Sequence, residues 1–389
     1  MRPALWPAEV VVDLDAITAN VRALRERVGG TELMAVVKAD GYGHGLVPSA
    51  RAALAGGACS LGVAQPTEAL ALRDAGITAP VLAWLTTPDL DLRPLVEADV
   101  EVAAVAPWGL RALAEAARAT GRPAATQLKV DTGLARNGAY GIPLRAGDPR
   151  TDWTELVEEA ARLEAEGVLR VRGLFTHFAY ADAPAHPTVR AQQEAFADAV
   201  AVAERAGLRP EVRHMSNSAA TLTTPEASWD MVRPGLSVYG LSPVPELATA
   251  AELGLRPAMR VTARAAVAKR VRGGQGVSYG HTYTTSGETT LLDVPLGYAD
   301  GVPRHVSNRA PVQVRGRRFT VAGRVCMDQF VVDVGDLDVG AGEEVVLFGA
   351  GDDGEPTAQD WAEAAGTISY EIVTRFGPRV PRRHLGGPS

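Results

Sequence analysis

The sequence predicts an α/β protein: an N-terminal (β/α)8 TIM barrel over residues 1–242, followed by a mostly-β C-terminal domain over residues 243–389. Three observations carry this. Eight short, β-branched apolar runs alternate with stretches of helical period between residue 34 and about residue 240. These runs are apolar on both faces, as strands covered by helices outside and a packed core inside must be. Beyond residue 257 the helical stretches give way to short alternating runs between glycine-rich turns, the pattern of an all-β unit. A length of 389 residues also exceeds what one hydrophobic core usually serves.

The eight runs are MAVVK (34–38), SLGVA (60–64), PVLAW (80–84), EVAAV (101–105), TQLKV (126–130), RGLFTHF (172–178), VRHMS (212–216) and MVRPGLSVYG (231–240). Most of the segments between them carry helix punctuation. TDWTELVEEAARLEAEG sets Asp152 and Glu155 at capping-box spacing, puts Leu156, Ala160 and Leu163 on one face, and stops at Gly167. Gly57, Gly76, Gly121 and Gly207 close other helical runs. The connections are long enough for whole helices, which parallel pairing requires; a flatter α/β sheet is the alternative. In the second domain, AMRVTARAAVAKRV, TTLLDVPLG, APVQVRGRRFTVAGRV, QFVVDVG and EEVVLFG read as strands, and AQDWAEAAG as a late helix. The N-terminal EVVVDLD is a further strand that the sequence assigns to neither domain.

Composition excludes several functions. Lys and Arg number 39 against 46 Asp and Glu, a net charge of -7 with interspersed signs, so no basic stripe for nucleic acid is present. Apolar residues at 46 % and charged residues at 22 % are ordinary for a globular chain. No stretch reads as a signal peptide or is long enough to span a bilayer, and Cys59 and Cys326 lie far apart, so a reduced, cytoplasmic protein is expected.

In a barrel, reactive groups belong at the C-terminal ends of the strands. There the sequence places Lys38, Lys129 and Asp131, His177, Asn217 and Ser218, and Arg233. Lys38 ends an apolar run and is followed by ADGYGHG, whose glycines permit a sharp turn; a solvated lysine is the bland reading, an imine-forming amine the functional one. Ser218 with the amides of Gly235 and Leu236 suits a phosphate, although an ordinary turn has the same composition. A lysine that traps an aldehyde beside a phosphate cradle suggests pyridoxal 5'-phosphate. Arg233 then matters, because a carboxylate partner would keep the coenzyme's ring nitrogen protonated, whereas a guanidinium cannot accept that hydrogen and holds the nitrogen unprotonated; a buried ion pair is the bland reading. VSYGHTY and GRVCMDQ read, on residue type alone, as a turn and as core filling.

With AVVKADGYGHG, KVDTGLARNG, GLFTHFA, HMSNSAA, VRPGLSVYG, VSYGHTY, GYADGVPR, GRVCMDQ and ISYEIVTRFGPRVPR in that order, the chain resembles the bacterial alanine racemase family over nearly its whole length. The resemblance implies a head-to-tail homodimer that binds pyridoxal 5'-phosphate, needs no metal, and interconverts L- and D-alanine with two bases. Lys38 is then the coenzyme lysine and one base, and Tyr279 of the second subunit the other. A phenol is a weak base at neutral pH, so cationic neighbours must favour its anion, and the family supplies a network through His177 to Arg233. Tyr42, Ser218, Tyr370, Gly235 and Leu236 hold the phosphate, and Asn217 joins the coenzyme-binding set. Arg136 meets the substrate carboxylate and Lys129, carbamylated in many members, positions it. Met327, with Cys326 and Asp328, approaches the substrate from the partner, and Tyr298 gates the entry corridor. Val302 departs from the bulkier residue of many relatives. The runner-up is a broad-specificity racemase of the same fold. A decarboxylase of related fold would need a carboxylate in place of Arg233, and a non-catalytic coenzyme carrier would have no use for Tyr279.

Overall fold

The structure is a computed structural model and describes residues 7–142 and 150–387. Strand β1 (Ala8–Asp13) opens it, and helix α1 (Leu14–Val28) follows directly, with the Asp13 carboxylate accepting from the Ala16 amide at 3.0 Å. Eight parallel strands then build the barrel: β2 (Glu32–Val36), β3 (Ser60–Val63), β4 (Val81–Ala83), β5 (Glu101–Ala104), β6 (Ala124–Asp131), β7 (Leu169–Phe175), β8 (Val212–His214) and β9 (Met231–Val232). Each pairs with the next from β2 through β8, and β9 returns to lie beside β2. The seam between β8 and β9 is closed by single bonds, from the Asp230 amide to the Arg213 carbonyl at 3.1 Å and from the Arg233 amide to the Ser216 carbonyl at 2.8 Å.

The two-residue period of a strand decides what fills the barrel. Met34, Leu82, Ala103, Phe175, Val212 and Met231, from six strands, form one buried cluster. Their neighbours Ala35, Val81, Ala83, Val102, Ala104 and Leu174 belong to the other, larger core. Helices α2 (Leu46–Ala55), α3 (Pro66–Asp74), α4 (Arg93–Glu97), α5 (Pro107–Thr120), α6 (Asp152–Ala165), α7 (Pro187–Arg205) and α8 (Ser218–Thr223) connect the strands. Leu156, Ala160 and Leu163 face inward on α6 as the sequence predicts, but its cap is Thr151 rather than Asp152. The Thr151 and Thr154 hydroxyls exchange hydrogen bonds with each other's amides at 3.2 and 2.9 Å. Asp152 and Glu155 instead lie in the first turn, where the helix dipole favours acids.

In the second domain, β10 (Met259–Arg264), β11 (Val267–Val271), β12 (Thr289–Val294), β13 (Pro311–Val314), β14 (Arg317–Thr320), β15 (Phe330–Asp333), β16 (Glu344–Phe348) and β17 (Arg382–Leu385) form two sheets, ordered β14-β13-β16-β10-β1-β17 and β11-β12-β15. The unassigned N-terminal strand therefore belongs here: β1 runs antiparallel to β10, with Val10 opposite Val261, and parallel to β17. The chain starts in one domain and enters the other through α1. Helix α9 (Ala358–Ala365) is the late helix foreseen; α10 (Ser369–Thr374) and β17 were not, being six and four residues long with little apolar pattern.

Among these pieces α9 bears on the site, because α10 follows it after only Gly366 to Ile368. Trp361 pins α9: its ring is fully buried and its N–H donates to the Leu347 and Pro311 carbonyls at 2.7 and 2.9 Å. Trp361→Ala should therefore lower stability by about 3–5 kcal/mol, read as a fall in the urea midpoint. A midpoint close to that of the wild type would mean that α9 is held elsewhere.

Candidate active site

The segment after β2 makes the site. Lys38–Tyr42 is a helical segment of the wrong hand: φ is 54° at Ala39, 54° at Asp40 and 61° at Gly41, continuing at 52° in Tyr42 and 80° in Gly43. Such backbone costs roughly 1–2 kcal/mol for each residue that carries a β-carbon, so its surroundings must hold it. They do. Glu68, on α3, accepts from the Ala39 amide at 2.6 Å, and the Asp40 carboxylate from the Leu46 amide at 2.8 Å. The Arg382 and His384 side chains of β17 donate to the Gly43 and His44 carbonyls at 3.1 and 2.8 Å. A β-carbon on Gly43 would collide with the Val373 carbonyl of α10. Second-domain elements thus clamp the turn that presents Lys38 and Tyr42.

Lys38, Tyr42, Lys129, Arg136, His177, Asn217, Ser218, Arg233, Gly235, Leu236 and Tyr370 all line one cavity of about 490 Å³. The sequence-predicted barrel residues are thereby brought together, with Tyr370 added from α10. Lys38 makes no hydrogen bond or ion pair among the described residues; its amine lies 5.9 Å from the Tyr42 and Trp84 ring centres. Burial first, and then the charge of Arg136, pull its pKa down, which raises the share of free amine.

Lys129 is pulled further, to about 7, by burial and by Arg233 and Arg136. Its amine donates to Asn137 Oδ1 at 2.8 Å, so the expected contact with Arg136 falls one residue further on. The Asp131 carboxylate holds the loop between them, accepting from the amides of Gly133, Leu134 and Ala135 on one oxygen and of Arg136 on the other.

Arg233 is the deepest cation. Its Nη1 donates to His214 Nδ1 at 3.0 Å and its Nη2 to the Thr176 carbonyl at 2.8 Å; the predicted contact with His177 is only a 3.5 Å approach. Burial lowers its pKa to about 9, which leaves it charged at neutral pH, and no carboxylate pairs with it among the described residues. Glu371 lines the cavity too, but its carboxylate is engaged by Arg375 and Thr367. Lys38, Lys129, Arg136 and Arg233 therefore confer an excess of positive charge, and the cavity suits an anion.

Part of the cavity wall is phenolic. The Tyr42 and Tyr370 rings stand 6.2 Å apart, and neither hydroxyl has a protein hydrogen-bond partner among the described residues. Burial keeps both protonated, raising Tyr42 and pushing Tyr370 to about 12, so each can donate. A β-carbon on Gly235 would occupy the place of the Tyr42 hydroxyl, so glycine there is what lets phenol, amide and Ser218 converge. Ser218 Oγ accepts from the Gly235 amide at 2.8 Å, and Asn217 caps α8 through the Ala220 amide at 3.1 Å.

Tyr279, Met327 and Tyr298 are not in this cavity. They are 70 %, 53 % and 42 % exposed and gather on loops of the second domain. The Tyr298 and Ala299 amides donate to the Cys326 and Met327 carbonyls, both at 3.0 Å, and Ser278 Oγ donates to the Arg324 carbonyl at 2.6 Å and meets Cys326 Sγ at 3.4 Å. Asp328 is tied to Arg379 at 2.7 Å. Val302 is fully buried in the core while Tyr298 is exposed, and the Val302 amide donates to the Gly297 carbonyl at 3.1 Å. Residue-type reasoning passed over Glu68, Trp84, Asn137, Gln127 and His214. Only Glu68 left a signal, the QPTE capping spacing that also has it accept from the Ala64 and Gln65 amides at 3.1 and 2.9 Å.

Two family models match this chain, "Alanine racemase, N-terminal domain" over residues 12–243 and "Alanine racemase, C-terminal domain" over residues 258–384. A protein of Frankia casuarinae named alanine racemase is 58 % identical over 375 residues, covering 96 % of this chain and 95 % of the relative. The solved alanine racemase of Streptomyces coelicolor A3(2) superimposes with a TM-score of 0.94 at 56 % identity, over 98 % of this chain and 99 % of that one. That of Streptomyces lavendulae, a D-cycloserine producer, gives 0.94 at 54 % identity over 98 % of each chain.

The depressed pKa of Lys129 has a consequence for stability. Below about pH 7 the amine is protonated in both folded and unfolded chains and its burial penalty is fully present. As pH rises from there towards the ordinary lysine range, the unfolded chain keeps a proton that the folded one has released, and stability rises. Lys129→Met should flatten this rise in the ligand-free protein and stabilise it on the acid side, read from urea midpoints against pH. Parallel curves for the two proteins would place the amine in water.

Proposed function

The chain belongs to the alanine racemase family, and from that premise we propose that it interconverts L- and D-alanine with pyridoxal 5'-phosphate, at a site completed by a second copy of the chain. The observation that carries this is the pairing, in one cavity, of a partly desolvated lysine with a buried arginine, the first without a partner and the second without a neutralising carboxylate among the described residues.

The residues present fit the coenzyme. Two phenols without protein partners among the described residues, the Ser218 hydroxyl and the backbone turn of Leu236 and Gly235, kept open by the glycine, would receive its phosphate, with Asn217 and His177 alongside; Lys38 would receive its aldehyde and Arg233 would face its ring nitrogen. When bound, pyridoxal phosphate supplies the electrophile and electron sink that acidify the amino acid's α-hydrogen. The protein does the rest. Lys38 takes or returns that proton on one face, Arg136 holds the carboxylate with Lys129 behind it, and Arg233 keeps a cation where a carboxylate would strengthen the sink.

Racemisation needs a second proton donor on the other face; among the described residues the cavity's phenols, Tyr42 and Tyr370, are given to the phosphate in this reading, so that donor has to come from elsewhere. Tyr279 of a partner subunit is that group in this reading, accompanied by Met327, Cys326 and Asp328, with Tyr298 at the entrance. Support comes from three large side chains exposed on one set of loops, an arrangement that monomers seldom leave uncovered. In this reading residues 1–242 supply most of the coenzyme site, with Tyr370 added from the second domain, and 243–389 supply the partner's base. Alanine is favoured over the broad-specificity alternative by relatives at 50–58 % identity that bear the name alanine racemase. Among the described residues no helix is long and apolar enough to cross a membrane; a cytoplasmic role supplying D-alanine for the cell wall completes the proposal.

Two measurements test it. Borohydride reduction of the yellow protein should fix the coenzyme to the peptide that contains Lys38, detected by mass spectrometry; an unmodified peptide would remove the mechanism. Lys38→Ala and Tyr279→Ala should each abolish alanine racemisation alone, and subunit exchange between them should restore about a quarter of wild-type activity, because half of the random dimers carry one intact site. No recovery after verified exchange would mean that both groups act within one chain.

A further inference from the structure

The positive charge of Arg233 is not left to itself: a file of hydrogen bonds runs from it through the barrel to the other end. His214 Nε2 meets Gln127 Oε1 at 2.6 Å, Gln127 Nε2 donates to Glu101 Oε2 at 2.5 Å, and Glu101 Oε1 accepts from Arg172 Nη1 at 2.7 Å. Glu101 is the first residue of β5, Gln127 lies within β6, His214 ends β8 and Arg233 directly follows β9. The file thus crosses from the N-terminal to the C-terminal ends of the strands. Glu101, Gln127, His214 and Arg233 are all buried. Room for it is specific: a β-carbon on Gly173 would come within 2.9 Å of Gln127 Oε1.

From this geometry we infer that Gln127 and Glu101 are positioning residues for Arg233, selecting the one form of His214 that can hold the guanidinium. The polarity of every bond follows. Arg233 has only hydrogens to give, so His214 Nδ1 must be a bare lone pair and the imidazole proton must sit on Nε2. That proton needs an acceptor, which is Gln127 Oε1. The amide presents its oxygen there because its nitrogen is claimed by Glu101, and Glu101 is fixed from behind by Arg172. Turning the amide over would push the proton to Nδ1, against the hydrogens of Arg233.

The file also supplies what the cavity lacks. A carboxylate touching Arg233 would quench its field at the site, whereas Glu101 sits two side chains away and holds the cation without covering it. Of the charged groups, Arg233 acts on His214 directly and Glu101 only through Gln127; Phe175 stacks on the imidazole at 5.1 Å and lies 5.5 Å from the guanidinium. Burial and Arg233 both keep His214 neutral.

This inference deepens the proposed racemase reading and rests on it for its kinetic arm alone. The full-length holoenzyme, nitrogen-15 labelled, contains seven histidines, and His214 can be assigned by loss of its signals in His214→Asn. In the wild type, long-range proton–nitrogen correlation should show a neutral ring with the proton on Nε2. Gln127→Glu should draw a second proton onto His214 at neutral pH, lower kcat for alanine by about tenfold or more with KM within about threefold, and move the optimum to higher pH. Gln127→Met should leave the ring neutral with mixed tautomers and a smaller fall in kcat. If Gln127→Glu does not fold, Glu101→Gln, which keeps the shape, should also mix the tautomers.

A wild-type ring protonated on Nδ1 would overturn the assignment, as would Gln127→Glu with an unaltered His214 and wild-type kcat. A change in thermal stability without either change would make the file merely structural, which also overturns it. A wild type without racemase activity would refute the proposed function but leave the tautomer measurement standing.

Discussion

The site depends on a buried guanidinium that no acid among the described residues touches. Removing an ion from water carries a penalty of several kcal/mol even after relaxation, and proteins normally repay it with a contacting counter-ion. Arg233 is repaid instead by carbonyls, by one imidazole lone pair and by the face of Phe175. Such an arrangement is poor for stability and good for holding charge in place. It also spreads: Lys129 and His177 lose affinity for protons in part because Arg233 is there. The cavity thereby keeps a permanent cation beside bases whose hold on their protons is loosened, the condition for receiving an anionic ligand and moving protons beside it.

The second constraint is the left-handed turn that follows β2. It stores strain next to the reactive lysine, and the elements that contain it come from across the molecule: Glu68 of α3, Arg382 and His384 of β17, and α10 against Gly43. The same α10 brings Tyr370 to the cavity. The second domain is thus not an appendage to the barrel. Its clamp fixes Lys38 and Tyr42, its helix completes the phenolic wall, and the first strand of the chain is stitched into its sheet, so that neither domain is finished without the other.

Much of this was legible in the residues. Short, β-branched runs apolar on both faces located all eight barrel strands, because a strand covered on both sides leaves a continuous apolar stretch. The rim residues followed from their positions just past those runs. What stayed hidden has a physical reason in each case. β1 pairs with strands roughly 250 and 370 residues distant, and nothing local records such partners. α10 and β17 are too short and polar to show a period. Gln127, His214 and Glu101 sit at positions a sequence reader fills with apolar side chains, and only their mutual bonds make them tolerable inside a barrel. Tyr279 and Met327 carry no signal by type at all; the resemblance alone singled them out, and both are exposed.

The claim at the centre is that a cation, and no proton, stands at the coenzyme's ring nitrogen. Nitrogen-15 spectroscopy of the full-length protein loaded with coenzyme labelled at that atom reads it directly. The account predicts an unprotonated pyridine-type resonance that stays constant through neutral pH. A pyridinium resonance, or one that titrates there, would contradict it.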